Sequence, residues 1–360
     1  MRWPVQEESK PMSNEKQRDK IAWDRRTFMA AAGLGAAAGL AGGCAALDRR
    51  GYESSFGELS GKFSAKPLPP LGRENGAGID ERWISDFIAA FVKNDPGNSM
   101  ESKFPGEKIY QHALVGFSAG LDPLFQEYKK IIGPFHLTPA EAMAMAARRQ
   151  GVQAPAPDQI GVVSFILPFA DLIVESNAAE KRWCSTRWAQ ARLLGGLFTQ
   201  KVQLALIKEL ARFGILAAAP DMSPEFKADK NTAVGYASNW SFRHLAFAAG
   251  LGSFGMSDLF ISKMGTAHRC GAVVVALPLK PNRDRAPHYR HHCLHYRTGG
   301  CLECTRRCPV GAISEKGHDK NKCGKNVVSS WPRNQVKHRI NIYGCGLCSA
   351  ATPCSQESPI

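Results

Sequence analysis

The sequence lacks long hydrophobic runs, dinucleotide-binding glycine motifs and internal repeats. No window holds 18 or more strongly apolar residues, which argues against a membrane-spanning helix. No glycine-rich fingerprint of a flavin or nicotinamide site is present, and no self-similarity recurs at a period of roughly 20–50 residues. With 44% hydrophobic residues, the 360-residue chain has the composition of a globular protein.

Acidic residues are scarce relative to basic ones, with 32 Asp/Glu against 46 Lys/Arg and a net charge of +14. Part of this excess is local, because residues 281–360 hold 13 Lys/Arg and 5 Asp/Glu. The basic residues are scattered and follow no recognition-helix pattern, so a nucleic-acid partner is not favoured. A basic surround would instead offset the charge of an anionic centre, such as a cluster bound by thiolates.

The N-terminal residues resemble an export signal. Residues 24–30, with the sequence DRRTFMA, place a twin-arginine pair before a weakly apolar, Ala/Gly-rich stretch at residues 30–43. This order predicts export by the twin-arginine (Tat) translocase, which carries folded proteins, to the periplasm or the outer side of the cytoplasmic membrane. The alternative is an Ala-rich helix after a chance Arg pair. Cys44 is either a lipidated cysteine, although Leu40 lies one residue too far away, or has no role in the exported protein.

Hydrophobic patterning divides the rest of the chain. We predict a signal region at residues 1–48, a Gly/Pro/Ser-rich linker at 49–82, a cofactor or substrate domain at 83–285, and a cysteine-rich domain at 286–360. Within the third part, apolar runs predict strands and helical periodicity predicts helices. The strands are at residues 160–167, 215–220 and 270–277, and the helices at 188–213 and 242–249. Their alternation indicates an α/β (α+β) fold.

Cysteine clustering is the strongest signal, since eight of the 11 cysteines fall in the last 68 residues. Cys301-x2-Cys304-x3-Cys308-Pro309 matches the last three positions of the bacterial [4Fe–4S] run C-x2-C-x2-C-x3-C-P, whose fourth cysteine binds the other cluster. Thr298 occupies the expected first position. Cys293 can replace it through a loop with adjacent glycines.

Crossed ligation uses all eight cysteines in two [4Fe–4S] clusters. The first cluster takes Cys293, Cys301, Cys304 and Cys354, and the second takes Cys308, Cys323, Cys345 and Cys348. Three alternatives stay open: zinc, disulfides in an exported chain, and one cluster beside unrelated cysteines. The isolated Cys184 and Cys270 are interpreted as buried small hydrophobes. The histidines around Cys293 form either a solvated basic loop or groups that tune or ligate a metal.

At this point the chain resembles epoxyqueuosine reductases and respiratory reductive dehalogenases. The resemblance rests on residues 242–255, with the sequence FRHLAFAAGLGSFG, then residues 259–261 (LFI), residues 276–279 (ALPL), and the cysteine run, in that order. It covers roughly residues 110–360. It implies a nitroreductase-related domain that holds a corrinoid, followed by a ferredoxin-like domain with two [4Fe–4S] clusters.

The resemblance also implies site residues. Tyr236 stands where epoxyqueuosine reductases place a catalytic Asp, and Phe242 stands where a Glu is usual. Tyr236 is therefore either a proton donor or a packing residue. Gly250, Gly252 and Gly255 either approach a large cofactor or cap a helix and form a turn.

The resulting hypothesis is an exported iron–sulfur oxidoreductase, specifically a corrinoid-dependent reductase of the dehalogenase type acting on a small molecule. An external electron donor is expected in every case. The alternatives are a non-catalytic [4Fe–4S] electron-transfer protein and a reductase that modifies tRNA. The roughly 200-residue domain before the cysteines exceeds what two clusters require, which favours a substrate or cofactor pocket.

Overall fold

The computed structural model describes residues 78–360 except positions 102 and 283. The predicted signal region, Cys44 and residues 49–77 of the predicted linker lie outside this part of the chain. The described residues belong to one compact unit, Gly42–Ile360, which includes both predicted domains, 83–285 and 286–360. Within the described part, no helix has the length and apolar character needed to cross a membrane.

Helices and strands are mixed along the chain. The α-helices are α1 (Glu81–Asn94), α2 (Leu124–Ile131), α3 (Pro139–Gln150), α4 (Asp171–Ala178), α5 (Thr186–Arg212), α6 (Phe242–Ala248), α7 (Leu294–Thr298), α8 (Glu303–Arg307), α9 (Lys320–Ser329) and α10 (Trp331–Arg333). The strands are β1 (Leu114–Ala119), β2 (Gly161–Pro168), β3 (Ala217–Ala218), β4 (Ala228–Thr232), β5 (Gly235–Ser238), β6 (Gly252–Phe254), β7 (Phe260–Ser262), β8 (His268–Val275), β9 (Ile313–Ser314) and β10 (Gly317–His318).

A four-stranded sheet in the order β1-β2-β8-β3 forms the centre, and every neighbouring pair is antiparallel. In its register, Ser164 of β2 lies opposite Gly116 of β1 and Ala272 of β8. All eight residues of β2 are buried, because helices cover both faces of the sheet. The mixed α/β class is confirmed. Hydrophobic runs alone do not predict the antiparallel direction in which the strands pair.

Each face of the sheet has its own apolar core. On one face, α1 and α5 pack against the side that carries Val163, Phe165 and Val273. On the other face, α3 and α6 cover the side that carries Val162 and Val274. The strands alternate their side chains between these cores, as a period of two requires.

Local sequence explains where the helices begin and end. Thr138 and Glu141 form a reciprocal capping box at the start of α3, and Gly151 ends that helix in the left-handed conformation. Ser185 caps α5 by accepting a hydrogen bond from the Trp188 N–H, so α5 begins two residues before the predicted helix at 188–213. The predicted strand at 215–220 shortens to β3, because Pro220 lacks an N–H and begins a 3₁₀ turn.

The helical segment 320–338 runs almost without interruption through α9, α10 and a π-helical turn, Asn334–His338. Its inward side is polar at a spacing of four residues: Asn326, Ser330, Asn334 and His338 are all buried. Each makes a hydrogen bond to the body of the fold. Asn326 accepts from Arg182 (2.7 Å), Ser330 accepts from the Gly344 N–H (2.8 Å), Asn334 donates to the Ile342 carbonyl (3.0 Å), and His338 pairs with Thr186 (2.8 Å).

Candidate metal centre

Two of the eight clustered cysteines belong to two short helices. Cys293 is the N-cap residue of α7, and Cys304 lies within α8. Gly299 ends α7 with φ of 76°, a left-handed conformation that glycine adopts without strain. The chain thus turns tightly between Cys293 and Cys301, as the adjacent glycines predict.

One group contains Cys293, Cys301, Cys304 and Cys354, and is called the first cysteine group. Burial raises the pKa of Cys304 to about 12, and the charges of the other three members act on it in the same direction. Burial also raises the pKa of Cys354, on which the charges of Cys293 and Cys301 act as well. The structure therefore brings these four thiols together, although they span 62 residues of sequence.

The second cysteine group contains Cys308, Cys323, Cys345 and Cys348. Burial raises the pKa of Cys323 to about 11, with added effects from Cys345 and Cys308. Burial raises the pKa of Cys348 as well, and the charges that act on it are those of the other three members and of Cys304 from the first cysteine group. The two groups follow the crossed assignment, which stays a prediction, because Cys304 of the first group also acts on Cys348 of the second. Ligation of iron itself stays a prediction.

The donor set fits an iron–sulfur cluster better than a hard metal, because it consists of thiols without carboxylates. All ten cysteines that the structure describes have free thiols, so the disulfide alternative is not realised among them. Among the described residues, no set of three or more His, Cys, Asp or Glu side chains is arranged to hold a single metal ion.

Apolar side chains surround the two groups. Met256, Ile261 and Ile313 are buried against the cysteines, and the partly buried Leu302 packs with them. Hydrogen bonds reach the sulfurs themselves: the Ala312 N–H donates to Cys308 Sγ at 3.2 Å, and the Thr352 hydroxyl lies 3.5 Å from Cys354 Sγ. Burial, net charge and hydrogen bonds to sulfur are the terms that set the reduction potential of such a centre.

Arg307 fastens the loop that carries the later cysteines to the body of the fold. Its guanidinium donates to the carbonyls of Leu347 and Ala350 (both 3.2 Å) and of Asn177 in α4 (3.1 Å). Because Arg307 lies between Cys304 and Cys308, one side chain links members of both groups to this loop.

Gly346 sets the approach of the same loop to α5. Its φ is 67°, and a Cβ atom at this position would lie 2.1 Å from Cε2 of Trp188. Trp188 is itself buried and packs against Phe169. Only glycine therefore fits beside Cys345 without moving the loop or the indole.

The three glycines after α6 contact protein atoms. Gly250 (φ 71°) follows the helix end, and the Leu251 N–H donates to the Ala246 carbonyl in the manner of a Schellman motif. A Cβ on Gly252 would lie 2.1 Å from the Ile261 carbonyl oxygen, and one on Gly255 would lie 3.3 Å from Ile261 Cδ1. Chain geometry thus accounts for them, and their predicted contact with a cofactor stays a prediction.

Tyr236 lies on β5 with its side chain 49% exposed. This strand packs against α9, the helix that carries Cys323. A Cβ on neighbouring Gly235 would lie 3.4 Å from Lys320 Cβ at the start of α9. The tyrosine is thus on an element beside the second cysteine group, and its role as a proton donor stays a prediction.

A charged cluster that the sequence does not predict lies beside α9. His318 Nδ1 is 3.4 Å and Lys320 Nζ is 4.0 Å from the Asp258 carboxylate, and Arg243 donates to the Asp258 carbonyl at 3.0 Å. Burial raises the pKa of Asp258, but the hydrogen bond from His318 and the charge of Lys320 outweigh it and lower the pKa below its usual value. No sequence spacing joins residues 243, 258 and 318, which only the fold brings together.

The remaining polar candidates interact with their own surroundings. His292 Nδ1 lies 2.9 Å from the Ser253 hydroxyl, and His291 Nδ1 lies 3.1 Å from Arg297. Cys184 is fully buried and Cys270 partly so, and burial raises the pKa of their thiols to about 11 and about 12. The charge of Cys345 acts on Cys184, which places this thiol next to the second cysteine group.

Comparisons with known proteins point to the group that the motifs indicate. No protein-family model matches the chain. A curated epoxyqueuosine reductase from Bacillus cereus is 25% identical over 189 residues, which are 49% of this chain and 43% of the relative. The chain thus matches less than half the length of this relative.

Two solved structures show weaker similarity. The catabolic reductive dehalogenase NpRdhA, in complex with 3-bromo-4-hydroxybenzoic acid, matches 68% of this chain and 30% of its own, with 16% identity and a TM-score of 0.43. Epoxyqueuosine reductase from Bacillus subtilis matches 68% of this chain and 62% of its own, with 13% identity and a TM-score of 0.37. The sequence match to the curated relative confirms that this chain resembles the epoxyqueuosine reductases.

Proposed function

We propose that the chain is an exported iron–sulfur oxidoreductase. The first cysteine group would hold one [4Fe–4S] cluster and the second cysteine group another. Bound clusters supply one-electron transfer. The observation that carries the proposal is that eight thiols, distant in sequence, lie close enough for their charges to act on one another.

The protein's own residues would tune these centres. The apolar lining of Met256, Ile261 and Ile313 excludes water, and the N–H of Ala312 partly neutralises the charge on Cys308. Exclusion of water favours the less charged, oxidised state of a cluster, whereas hydrogen bonds and nearby cations favour the reduced state. Arg307 would hold the two groups at a fixed separation through its three carbonyl contacts.

Substrate reduction is proposed because the body of the protein is larger than cluster binding requires. The sheet and its helices occupy roughly 200 residues before the cysteines. We infer from the resemblance a nitroreductase-related domain, and a corrinoid that passes electrons to a small, for example halogenated, substrate. Because the three glycines pack against protein atoms, no residue of this chain is assigned to corrinoid binding, and no step is derived through it.

A second candidate function is the reduction of a modified nucleoside in tRNA. The curated relative, an epoxyqueuosine reductase, favours it. The twin-arginine pair, which predicts export, argues against it. A direct comparison of substrates decides between the two candidates: the anaerobic, reduced protein is incubated with a halogenated phenol or with tRNA that contains epoxyqueuosine, and the products are measured by mass spectrometry.

Metal analysis tests the central proposal. The protein is purified without oxygen, reconstituted with iron, sulfide and a corrinoid, and analysed for metals and by EPR. About eight irons with matching sulfide, and EPR of interacting [4Fe–4S]⁺ centres, are expected. About one cobalt per chain would support the corrinoid, whereas its absence would favour a simple electron-transfer protein. Zinc in place of iron would overturn the proposal.

Matched cysteine variants test the assignment. Cys304→Ser should halve the iron content to about four per chain, because it removes a ligand of the first cysteine group alone. Cys184→Ser is the control, since Cys184 is buried beside the second cysteine group but belongs to neither. Equal loss of iron in both variants would contradict the assignment.

Export is a separate proposal with its own test. The Tat translocase would recognise Arg25 and Arg26, so their replacement by Lys should retain a fused reporter in the cytoplasm. Export of the variant at the parental level would refute this localisation.

A further inference from the structure

The outward side of the helical segment 320–338 has the opposite polarity to that of an ordinary surface helix. Its buried side carries the four hydrogen-bonded polar residues described above, whereas its outward side exposes Val328 (46%) and Val336 (82%). Surface helices normally place their apolar side chains towards the core. Val328 lies in α9 and Val336 eight positions later in the π-helical turn, so both apolar side chains are on the solvent-exposed side of the segment.

Basic side chains flank these valines. Residues 320–341 contain six Lys or Arg and no Asp or Glu. Four of the six are exposed: Lys322, Lys325, Lys337 and Arg339. Together with Val328 and Val336 they form what is called here the outward helix face. An apolar centre within a charged rim is the arrangement of protein–protein interfaces, and its charge fits an acidic partner.

The outward helix face lies on the element that carries Cys323. This cysteine of the second cysteine group stands in α9 between Lys322 and Lys325. A partner seated on this face would therefore sit against the helix that supplies a thiol to the second cysteine group. The chain has no flavin or nicotinamide motif, so electrons must come from outside.

We propose that the outward helix face docks a small acidic one-electron carrier protein, which delivers electrons at the second cysteine group. This proposal rests on the proposed function, because it requires a cluster there. In each encounter the carrier is oxidised by one electron and the centre held by the second cysteine group is reduced by one. No atom or proton needs to change hands.

Two other occupants fit the face less well. Helices that lie in a membrane surface insert large side chains such as Trp, Phe or Leu. Here the nearby Trp331 instead donates its indole N–H to Asn341 at 2.7 Å, and the apolar centre consists of two valines. Nucleic acid would be attracted by the rim charges, but it makes no use of an exposed aliphatic centre.

Charge reversal on the face, with a matched control, tests the proposal. The probe is a small acidic [2Fe–2S] ferredoxin, and the test variant of the reconstituted full chain is Lys325→Glu/Lys337→Glu. The control, Lys93→Glu/Lys208→Glu, makes the same change in net charge on α1 and α5. Lys208 lies 22 residues, or about 33 Å, along α5 from the contact of Thr186 with His338.

Calorimetry at low salt should show that the test variant binds the ferredoxin about tenfold more weakly than the parent does. Its affinity should also depend less on salt. The control should bind the ferredoxin within about twofold of the parent. Val336→Asp should weaken binding as well. Electron transfer from reduced ferredoxin should slow in parallel, whereas reduction by dithionite should not change. Unchanged melting temperatures and iron contents show that the variants are folded and loaded.

Three results would overturn the docking proposal. They are equal weakening in test and control variants, unchanged ferredoxin binding in the test variant, and loss of binding only to phosphatidylglycerol vesicles or to tRNA. The proposed function fails on a different measurement. A parent protein without iron, or one that dithionite does not bleach, would overturn the clusters and the docking proposal with them.

Discussion

A methyl group added at Gly346 should disturb the second cysteine group. Two costs arise in Gly346→Ala. A left-handed backbone costs a residue with a Cβ about 1–2 kcal/mol. The methyl group would also lie 2.1 Å from the buried Trp188 ring, and overpacking of this kind costs about 1–3 kcal/mol. The free energy of unfolding should therefore fall by about 2–5 kcal/mol.

The expected consequence extends to iron binding, because Gly346 directly follows Cys345. Thermal unfolding of the reconstituted protein should shift down by about 2 °C per kcal/mol for a chain of this size. The iron content should fall towards about four per chain as the second cysteine group loses its geometry. Calorimetry and iron analysis of the same samples measure both effects.

Gly324→Ala is the matched control. Gly324 also follows a cysteine of the second cysteine group, but it lies inside α9 at ordinary φ, and a Cβ there would meet nothing within 4 Å. This variant should keep its iron and gain about 0.5–1 kcal/mol of helix stability. If Gly346→Ala melted and bound iron as the parent does, the packing of this loop on Trp188 would not control the site.

Three further predictions follow from the contacts described above. Burial lowers the pKa of His136 and His268 to about 4 and of His244 to about 3, so stability from their neutral forms is complete above pH 6.5 and lost as the pH falls towards those values. Each of these histidines should lower the free energy of unfolding by about 1.4 kcal/mol at pH 5.5. In denaturant titrations, His136→Gln should therefore lose about 1.4 kcal/mol less than the parent as the pH falls to 5.5. Lysine lacks the planar guanidinium with which Arg307 contacts three carbonyls, so Arg307→Lys should release iron to a chelator several times faster than the parent. Equal rates of iron release would refute the bridging role of Arg307. Thr352→Val should shift the reduction potential of the first cluster in a redox titration followed by EPR, and leave that of the second unchanged.

Hydrophobic patterning predicted the long elements because their periodicity is local. The runs at 160–167 and 270–277 are strands β2 and β8 within two residues, and α5 and α6 end within one residue of their predicted ends. The short strand β1 and the helices α1 to α4 were not predicted. The period of α1 was nevertheless readable, because its buried residues Trp83, Phe87 and Phe91 recur at a spacing of four.

The cysteine groups could be anticipated because C-x2-C spacing places two thiols on one turn. The charged cluster at Asp258 could not, since its members meet only after β7, β10 and α6 are folded. The same limit applies to the glycines. A glycine motif indicates positions at which a Cβ atom would not fit. Whether Gly252 faces a cofactor or the Ile261 carbonyl depends on the fold.

The order of the cysteines along the chain gives the two groups a nested topology. The second group spans residues 308–348 and lies wholly inside the span 293–354 of the first. If each centre acts as a cross-link, the inner one closes a loop of about 40 residues, and the outer one then closes a loop already shortened by it. The conformational entropy lost in the second closure is smaller, so occupancy of one centre should favour occupancy of the other. Half-loaded molecules should therefore be rare at intermediate iron supply.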